Sequence, residues 1–115
     1  MKRGDVVRAE LPRPAGSPGR EQFGERPAVV VQDELQSAGL ETIVVVPLTS
    51  RLAAARFVGS FVVQPSPTNG LSVPSVVLTH QVRAIDKHRI TGVIGRLGER
   101  DTAILDAALR KLLRL

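Results

Sequence analysis

The stretch that decides the fold is PAVVVQDELQSAGLETIVVV, residues 27–46. It holds two β-branched runs, Pro27–Gln32 and Thr42–Val46, in which apolar and polar residues do not alternate. Such runs are typical of strands that are buried on both faces. A polar turn around Ser37–Gly39 lies between them, so we expect the two runs to pair at the centre of a small closed barrel.

Further strands are predicted on both sides of this central pair. Asp5–Leu11 is a modest strand that Pro12 stops, and the Gly- and Pro-rich stretch Pro12–Glu25 reads as a long loop. The later strand candidates are Phe57–Gln64, Val73–Arg83 and Ile90–Leu97. Short strands at this spacing indicate a barrel or sandwich rather than βαβ units.

The C-terminus changes to a helical period. Its apolar residues are Ile104, Leu105, Ala108, Leu109, Leu112 and Leu113, which form one helical stripe. Acidic residues precede this stripe and basic residues follow it, as the helix dipole favours. The sequence therefore predicts a mainly β fold with a C-terminal α-helix, in a single domain over residues 1–115.

Composition narrows the function classes. The chain has 16 Lys and Arg residues against 11 Asp and Glu residues, so its net charge is +5. This charge favours an anionic partner such as nucleic acid or an acidic protein. The chain has no Cys and no apolar run of about 20 residues. We therefore expect no disulfide framework, no membrane span and a cytoplasmic location. Only three aromatic residues are present, so a sheet of stacked aromatic side chains is not expected.

Three positions could carry chemistry, and each also has an ordinary structural interpretation. Arg26 stands before Pro27 at the mouth of the buried strand, where it could hold phosphate or simply pair with Glu21 or Glu25. Thr49 ends the next strand, where its hydroxyl could meet an anion or close a turn. His80 could transfer a proton, contact a base edge or be structural. The two histidines lack metal-ligand spacing, so we expect no metal site and no cofactor.

The order of short motifs along the whole chain resembles the MazF/PemK family of toxin endoribonucleases. These motifs are RGDVV at residues 3–7, EQFGERPAVVV at 21–31, VPLTS at 46–50, GL at 70–71, SVV at 75–77 and QVRAIDKHR at 81–89. Each motif is short, but their order and spacing together are specific.

The resemblance implies an SH3-like β-barrel that works as a homodimer. It implies cleavage of single-stranded RNA, mostly mRNA, at short sequences without a metal, leaving a 2′,3′-cyclic phosphate and a 5′-hydroxyl. It also implies a MazE-like antitoxin whose acidic, largely disordered segment covers the RNA groove.

The resemblance assigns residues as well. The family arginine falls on Arg26, the threonine on Thr49 and the glutamate on Glu21. His80 takes the place of an acidic residue that often precedes the Gln-x-Arg motif, so the general base is either Glu21 or His80. We expect contacts to RNA from Arg20, Gln22, Ser50, Arg51, Arg56, Gln81 and Arg83.

Two other functions remain open at this point. One is a gyrase-poisoning toxin on the same barrel, which would bind its target through the C-terminal end. The other is a non-catalytic RNA-binding module or degenerate toxin.

Overall fold

The computed structural model describes residues 1–12 and 24–115. Its strands are β1 Asp5–Leu11, β2 Gly24–Val30, β3 Thr42–Thr49, β4 Phe61–Val63, β5 Ser75–Val77, β6 Arg83–Asp86 and β7 Ile90–Arg96, and its helices are α1 Glu34–Ser37 and α2 Glu99–Leu113. Three 3-10 turns lie at Leu52–Arg56, Thr79–Gln81 and Lys87–Arg89. The prediction of a mainly β fold with a C-terminal helix is confirmed.

All strand pairs in the sheet are antiparallel, in the order β4-β5-β3-β2-β1-β7, with β6 also paired to β3. Within the described residues this order has two ends, β4 and β7, that do not pair with each other. The hydrogen bonding of the strands therefore leaves the sheet open, and the closed barrel expected from the sequence is not confirmed.

The predicted strand Val73–Arg83 is wrong as a single element. β5 and β6 share one edge of β3: β6 pairs with Thr42–Val45, and β5 pairs with Leu48 and Thr49. Between the two ladders stands Pro47, whose carbonyl accepts the Leu78 N–H at 3.0 Å. Proline has no N–H to donate to this edge, so the ladder breaks there and the chain makes a 3-10 turn at Thr79–Gln81.

Two hydrophobic cores lie on opposite faces of the central strands. Alternate residues of β2 and β3 enter each core, with Val29 and Val46 in the first and Val30 and Val45 in the second. All four are at most 1% exposed, which confirms that this central pair is buried on both faces.

Helix α2 covers the first core through Leu105 and Leu109. Arg3 ties the N-terminus to the helix, since its guanidinium donates to the Asp106 carboxylate at 2.6 Å and to the Val31 carbonyl at 2.9 Å. The rest of the predicted stripe is more open: Ile104 is 38% exposed, Leu112 44% and Leu113 53%. The helix is confirmed, and only part of its apolar stripe is used to cover the sheet.

The remaining differences from the sequence prediction are local. The polar turn between the central strands begins with the short helix α1, because the Asp33 side chain accepts the Leu35 N–H and caps it. Strand β4 has three residues rather than the predicted eight, because turns occupy 57–60. Among the described residues, no helix is both long and apolar enough to cross a bilayer.

Candidate RNA-binding and catalytic site

Arg26 and Thr49 lie at the same end of the central strand pair. Ala28 pairs with Pro47. Because the strands are antiparallel, continuing this register by two residues leads back to Arg26 on β2 and forward to Thr49 on β3. Residues at opposite positions of antiparallel strands present their side chains on the same face. Both therefore belong to the face of Ala28 and Val45, at the rim of the second core.

The two residues differ in exposure. Arg26 is exposed and pairs in register with Ala9 of β1, whereas Thr49 is buried at 5% exposure. The Thr49 hydroxyl oxygen accepts the Arg51 N–H at 3.2 Å, which fixes the turn after β3. This leaves the Thr49 O–H proton available to a ligand oxygen, and the exposed Arg26 at the neighbouring strand end supplies a positive charge.

Glu25, one of the predicted partners of Arg26, faces another arginine. Its carboxylate lies 3.9 Å from the Arg8 guanidinium, and both side chains are about half exposed. Such a pair contributes little to stability in water. The Glu25 carboxylate therefore already lies beside a different arginine, Arg8.

Arg83 extends the basic character of this face. It pairs with Val45, which pairs in turn with Val30, so Arg83 stands on the same face as Arg26 and Thr49. Its guanidinium donates to the Pro12 carbonyl at 3.3 Å. Pro12 follows Leu11, which pairs with Gly24 at the start of β2. The Arg83 side chain thus reaches the same end of the sheet where Arg26 stands.

A second group of side chains gathers around Phe57. The Arg56 guanidinium carbon lies 5.0 Å from the centre of the Phe57 ring, and the His80 ring centre lies 5.3 Å from it at a tilt of 50°. All three side chains are exposed, with Phe57 at 44%. Arg56 and His80 were candidates from the sequence, but Phe57 was not. The sequence signal that could have identified Phe57 is its position next to Arg56, because aromatic and arginine planes together bind bases.

The other candidates are placed as follows. Ser50 and Arg51 are exposed directly after Thr49, and Gln81 is half-buried in the same 3-10 turn as His80. Arg20, Glu21 and Gln22 lie outside the described residues. Within 1–12 and 24–115, no group of three or more His, Asp or Glu side chains could hold a metal ion.

Comparison with known proteins finds sequence matches along nearly the whole chain. A family model described as PemK-like, MazF-like toxin of type II toxin-antitoxin systems matches residues 2–113. The chain is 34% identical over 115 residues to Endoribonuclease EndoA of Bacillus subtilis, covering all of this chain and 96% of that protein. It is also 34% identical to Endoribonuclease MazF9 of Mycobacterium tuberculosis, covering 96% of this chain and 93% of that protein.

Solved structures of MazF proteins have the same fold. MazF from Deinococcus radiodurans superposes with a TM-score of 0.78 at 23% identity, over all of this chain and 97% of that one. A MazE-MazF structure from the same organism gives 0.72 at 26% identity, over all of this chain and 96% of that one. The match runs from the first strand through α2, so it includes both strand ends that carry Arg26 and Thr49. The chain belongs to the PemK-like, MazF-like toxin family of type II toxin–antitoxin systems.

Proposed function

We propose that this protein is an endoribonuclease toxin that cuts single-stranded RNA, chiefly mRNA, at short sequences. The observation that carries this proposal is the position of Arg26 and Thr49 at one end of the β2–β3 ladder, on a face that also holds Arg83. The curated relatives at 34% identity are named endoribonucleases, which supports the same activity here. A net charge of +5 suits a polyanionic substrate.

The proposed reaction uses the RNA itself as the nucleophile. The 2′-oxygen attacks the adjacent phosphorus, the P–O5′ bond breaks, and the products are a 2′,3′-cyclic phosphate and a 5′-hydroxyl. The 2′-hydroxyl proton passes to a base on the protein, and the departing 5′-oxygen takes up a proton. Because the nucleophile comes from the substrate, the chain needs only to hold the phosphate, stabilise its charge and move two protons.

Arg26 and Thr49 are assigned to the phosphate. The Arg26 guanidinium offers forked donors that match two phosphoryl oxygens, and its charge counters the charge that develops on them. The Thr49 hydroxyl donates to a third contact point, while its oxygen stays fixed by the Arg51 N–H. A buried hydroxyl and an exposed guanidinium at the same end of the strand pair would thus contact different phosphate oxygens.

Glu21 and His80 are the two candidates for the base. Replacing Glu21 with Gln and His80 with Asn, each measured under single-turnover conditions, separates them. The variant that lacks the base loses roughly 10²-fold in cleavage rate while still binding RNA. If His80 is the base, the acid limb of the rate against pH disappears in His80→Asn; if Glu21 is the base, Glu21→Gln takes the larger loss.

RNA contacts are assigned to the remaining polar residues around this face. They are Arg20, Gln22, Ser50, Arg51, Arg56, Gln81 and Arg83. The exposure of Ser50 and Arg51 directly after Thr49, and of Arg56 at the end of the following 3-10 turn, supports a path for the RNA along this segment.

We also infer an SH3-like barrel, a single domain over residues 1–115 and a cytoplasmic homodimer. The β4–β5 loop supports the barrel, since the Thr68 carbonyl accepts the Arg96 N–H of β7 at 2.8 Å and brings the two ends of the sheet together. A MazE-like acidic antitoxin is the inferred partner, supported by the MazE-MazF structure that is 26% identical to this chain.

The deciding experiment incubates the purified protein with mixed-sequence RNA in EDTA. We expect cuts at a short common sequence, with 5′ ends that polynucleotide kinase labels without prior phosphatase treatment. Binding without cuts would instead identify a non-catalytic RNA-binding module. Neither cuts nor binding, together with inhibition of gyrase, would identify a gyrase poison.

A further inference from the structure

We infer that Thr79 is a positioning residue for the proposed RNA cleavage, because its buried hydroxyl joins two segments of the chain that are assigned to RNA contact. These segments are residues 50–60, which follow Thr49, and the 3-10 turn Thr79–Gln81. The inference rests on the proposed function, from which the RNA contacts of both segments come. It assigns to Thr79 an effect on RNA binding without any contact between Thr79 and the RNA.

The hydrogen bond of the Thr79 side chain is buried. Only 1% of Thr79 is exposed, and its hydroxyl donates to the Gly59 carbonyl at 2.9 Å, which we call the Thr79–Gly59 bond. Donor and acceptor are 20 residues apart, so the bond is a tertiary contact and not part of a local turn. Removing a buried donor leaves its acceptor without a partner, which is costly. The bond is therefore suited to fix the distance between the two turns that it joins.

The 3-10 turn that contains Thr79 lies where the chain leaves β3. The ladder with β5 ends at Leu48 and the ladder with β6 begins at Val45, so the five residues 78–82 lie opposite only two residues of β3. The Val82 N–H donates to the Thr79 carbonyl at 3.2 Å, which closes the turn without tying it to another element. The Thr79–Gly59 bond ties this turn to a second turn.

The second turn ends the segment that leaves Thr49. The Arg51 N–H donates to the Thr49 hydroxyl oxygen at 3.2 Å. Further backbone hydrogen bonds of 3.0–3.2 Å link Arg51 to Ala54, Ala54 to Phe57 and Phe57 to Ser60. These successive turns carry the proposed RNA contacts Ser50, Arg51 and Arg56.

Both segments start beside Thr49, which holds the phosphate in the proposed reaction. Residues 50–60 follow Thr49 in the chain, and Val76, which pairs with Thr49, lies three residues before Thr79. The Thr79–Gly59 bond joins the two segments again further along. This closed arrangement sets the separation of the proposed contacts Arg56 and Gln81 before any RNA binds.

The expected effect of the bond is on RNA binding. A chain that is already held in place binds a ligand at a lower entropic cost than a chain that the ligand must order. Without the bond, Arg26 and Thr49 would still hold the phosphate, but the RNA would have to order the two segments. Contacts remote from the reacting phosphate contribute equally to ground-state and transition-state binding, so their loss raises KM and Kd.

The test compares Thr79→Val, which keeps the shape of the side chain but has no donor, with Thr79→Ser, which keeps the hydroxyl. KM and kcat are measured on a cleavable RNA, and Kd on the same RNA with a 2′-O-methyl group at the mapped cleavage position. Thr79→Val should raise KM and Kd about tenfold, whereas Thr79→Ser should stay within about twofold of the wild type. A fall in kcat that accompanies this rise would support the inference and identify His80, in the same turn, as the base.

Thr91→Val is the matched control. The Thr91 hydroxyl also donates to a backbone carbonyl, that of Arg8 at 3.2 Å, but it is exposed and joins neither RNA-binding segment. This variant should leave KM, Kd and kcat unchanged. Urea denaturation checks that each variant is folded at the assay temperature. If Thr79→Val does not fold, Thr79→Ala takes its place, because alanine removes the hydroxyl without placing a methyl group against the Gly59 carbonyl.

A second readout needs no cleavage. The ring centres of Phe57 and His80 lie 5.3 Å apart, and the two rings belong to the two segments that the bond joins. The ring current of Phe57 therefore shifts the NMR signals of the His80 imidazole. Thr79→Val should move these signals toward those of a solvated histidine, and Thr79→Ser should not.

Unchanged KM and Kd in Thr79→Val would overturn the inference, even if the His80 signals move. A lower kcat with unchanged KM and Kd would also overturn it, because a merely destabilised protein loses active molecules rather than affinity. If the wild type binds RNA without cutting it, the proposed function fails, and Kd still decides the role of Thr79. If the wild type does not bind RNA, both fail.

Discussion

The chemistry proposed for this protein depends on single side chains whose surroundings differ sharply. Thr49 is buried and already accepts one backbone N–H, whereas Arg26 is exposed at the same strand end. The first can act as a buried hydrogen-bond donor and the second as an exposed cation. Replacing either one should therefore affect catalysis more than folding.

The Arg26 prediction follows from this division. Arg26→Ala should cost at least ~10²-fold in cleavage rate, by analogy with the loss of one oxyanion-stabilising donor. RNA affinity should fall far less, because the chain has 16 Lys and Arg residues to share that task. Single-turnover cleavage and filter binding measure the two effects separately.

Arg8→Ala is the matched control for Arg26, because Arg8 is also an exposed arginine and pairs in register with Pro27 of the same strand. It should change the rate only a few-fold. A similar rate loss in both variants would show that general positive charge, rather than the position of Arg26, supports cleavage.

Asn69 organises the β4–β5 loop. It is 2% exposed; its side-chain amide donates to the Gln64 carbonyl, and its side-chain oxygen accepts the N–H groups of Ser66 and Leu71. Next to it, a Cβ on Gly95 would lie 2.3 Å from the Asn69 backbone, so the loop and β7 pack without space for a side chain.

We expect Asn69→Ala to lower the free energy of unfolding by about 2 kcal/mol, because it leaves these backbone groups without their partner. Thr68→Ala is the control, since the Thr68 hydroxyl makes only an exposed contact with Ser66 at 3.3 Å. Urea denaturation of both variants measures the difference. Equal stability would mean that the loop does not depend on the Asn69 side chain.

At the scale of elements, helix α2 covers the first core. Leu105 and Leu109 pack into that core, while the neighbouring Ile104 is 38% exposed. The Arg3–Asp106 ion pair that also holds the helix is about 40% exposed on both sides, so solvent screening limits its contribution.

Leu105→Ala should therefore destabilise the protein by about 2–5 kcal/mol, the usual cost of a cavity in a packed core. Ile104→Ala, one residue away on the same helix, should cost less than about 1 kcal/mol because more than a third of Ile104 is already exposed and it is not part of the core cluster. Thermal and urea unfolding compare the two. If Ile104→Ala were the more harmful change, the helix would face the sheet differently from the structure.

At the scale of the whole molecule, the apolar residues that α2 leaves uncovered bear on assembly. Leu112 and Leu113 are 44% and 53% exposed, and neither is needed to cover the sheet. We expect a homodimer with an isologous interface, observed by light scattering at micromolar concentration as twice the mass of one chain.

Leu112→Glu combined with Leu113→Glu should shift this mass toward the monomer. Leu35→Glu, at a leucine on α1 that is 82% exposed, should leave it unchanged. A monomer in the unmodified protein would contradict the prediction.

The antitoxin prediction also concerns the whole molecule. A chain of net charge +5 whose RNA-binding face carries arginines should bind an acidic disordered segment over that same face. RNA and an acidic antitoxin peptide should then exclude each other, and rising salt should weaken the peptide's binding. Competition measured by fluorescence anisotropy checks this, and a stable ternary complex with uncut RNA would place the two sites apart.

Much of this molecule could be predicted from local sequence patterns. The β-branched runs around residues 27–46 specify the central strands because their side chains are apolar on both faces, and the period of the C-terminal stripe specifies α2. The positions of Arg26 and Thr49 beside those runs made them candidates for one site. These properties depend on neighbours along the chain, which the sequence displays directly.

Only the tertiary structure decided how distant segments meet. The break between β5 and β6 arises because Pro47 of β3 offers no N–H to this edge. Pro47 lies outside Val73–Arg83, so the sequence of that segment does not reveal the break. The contact of Phe57 with His80 joins positions 23 residues apart, and Arg83 reaches Pro12 across 71. Such contacts depend on strand register and on which edges remain free, and both are set by packing of the whole chain rather than by any local pattern.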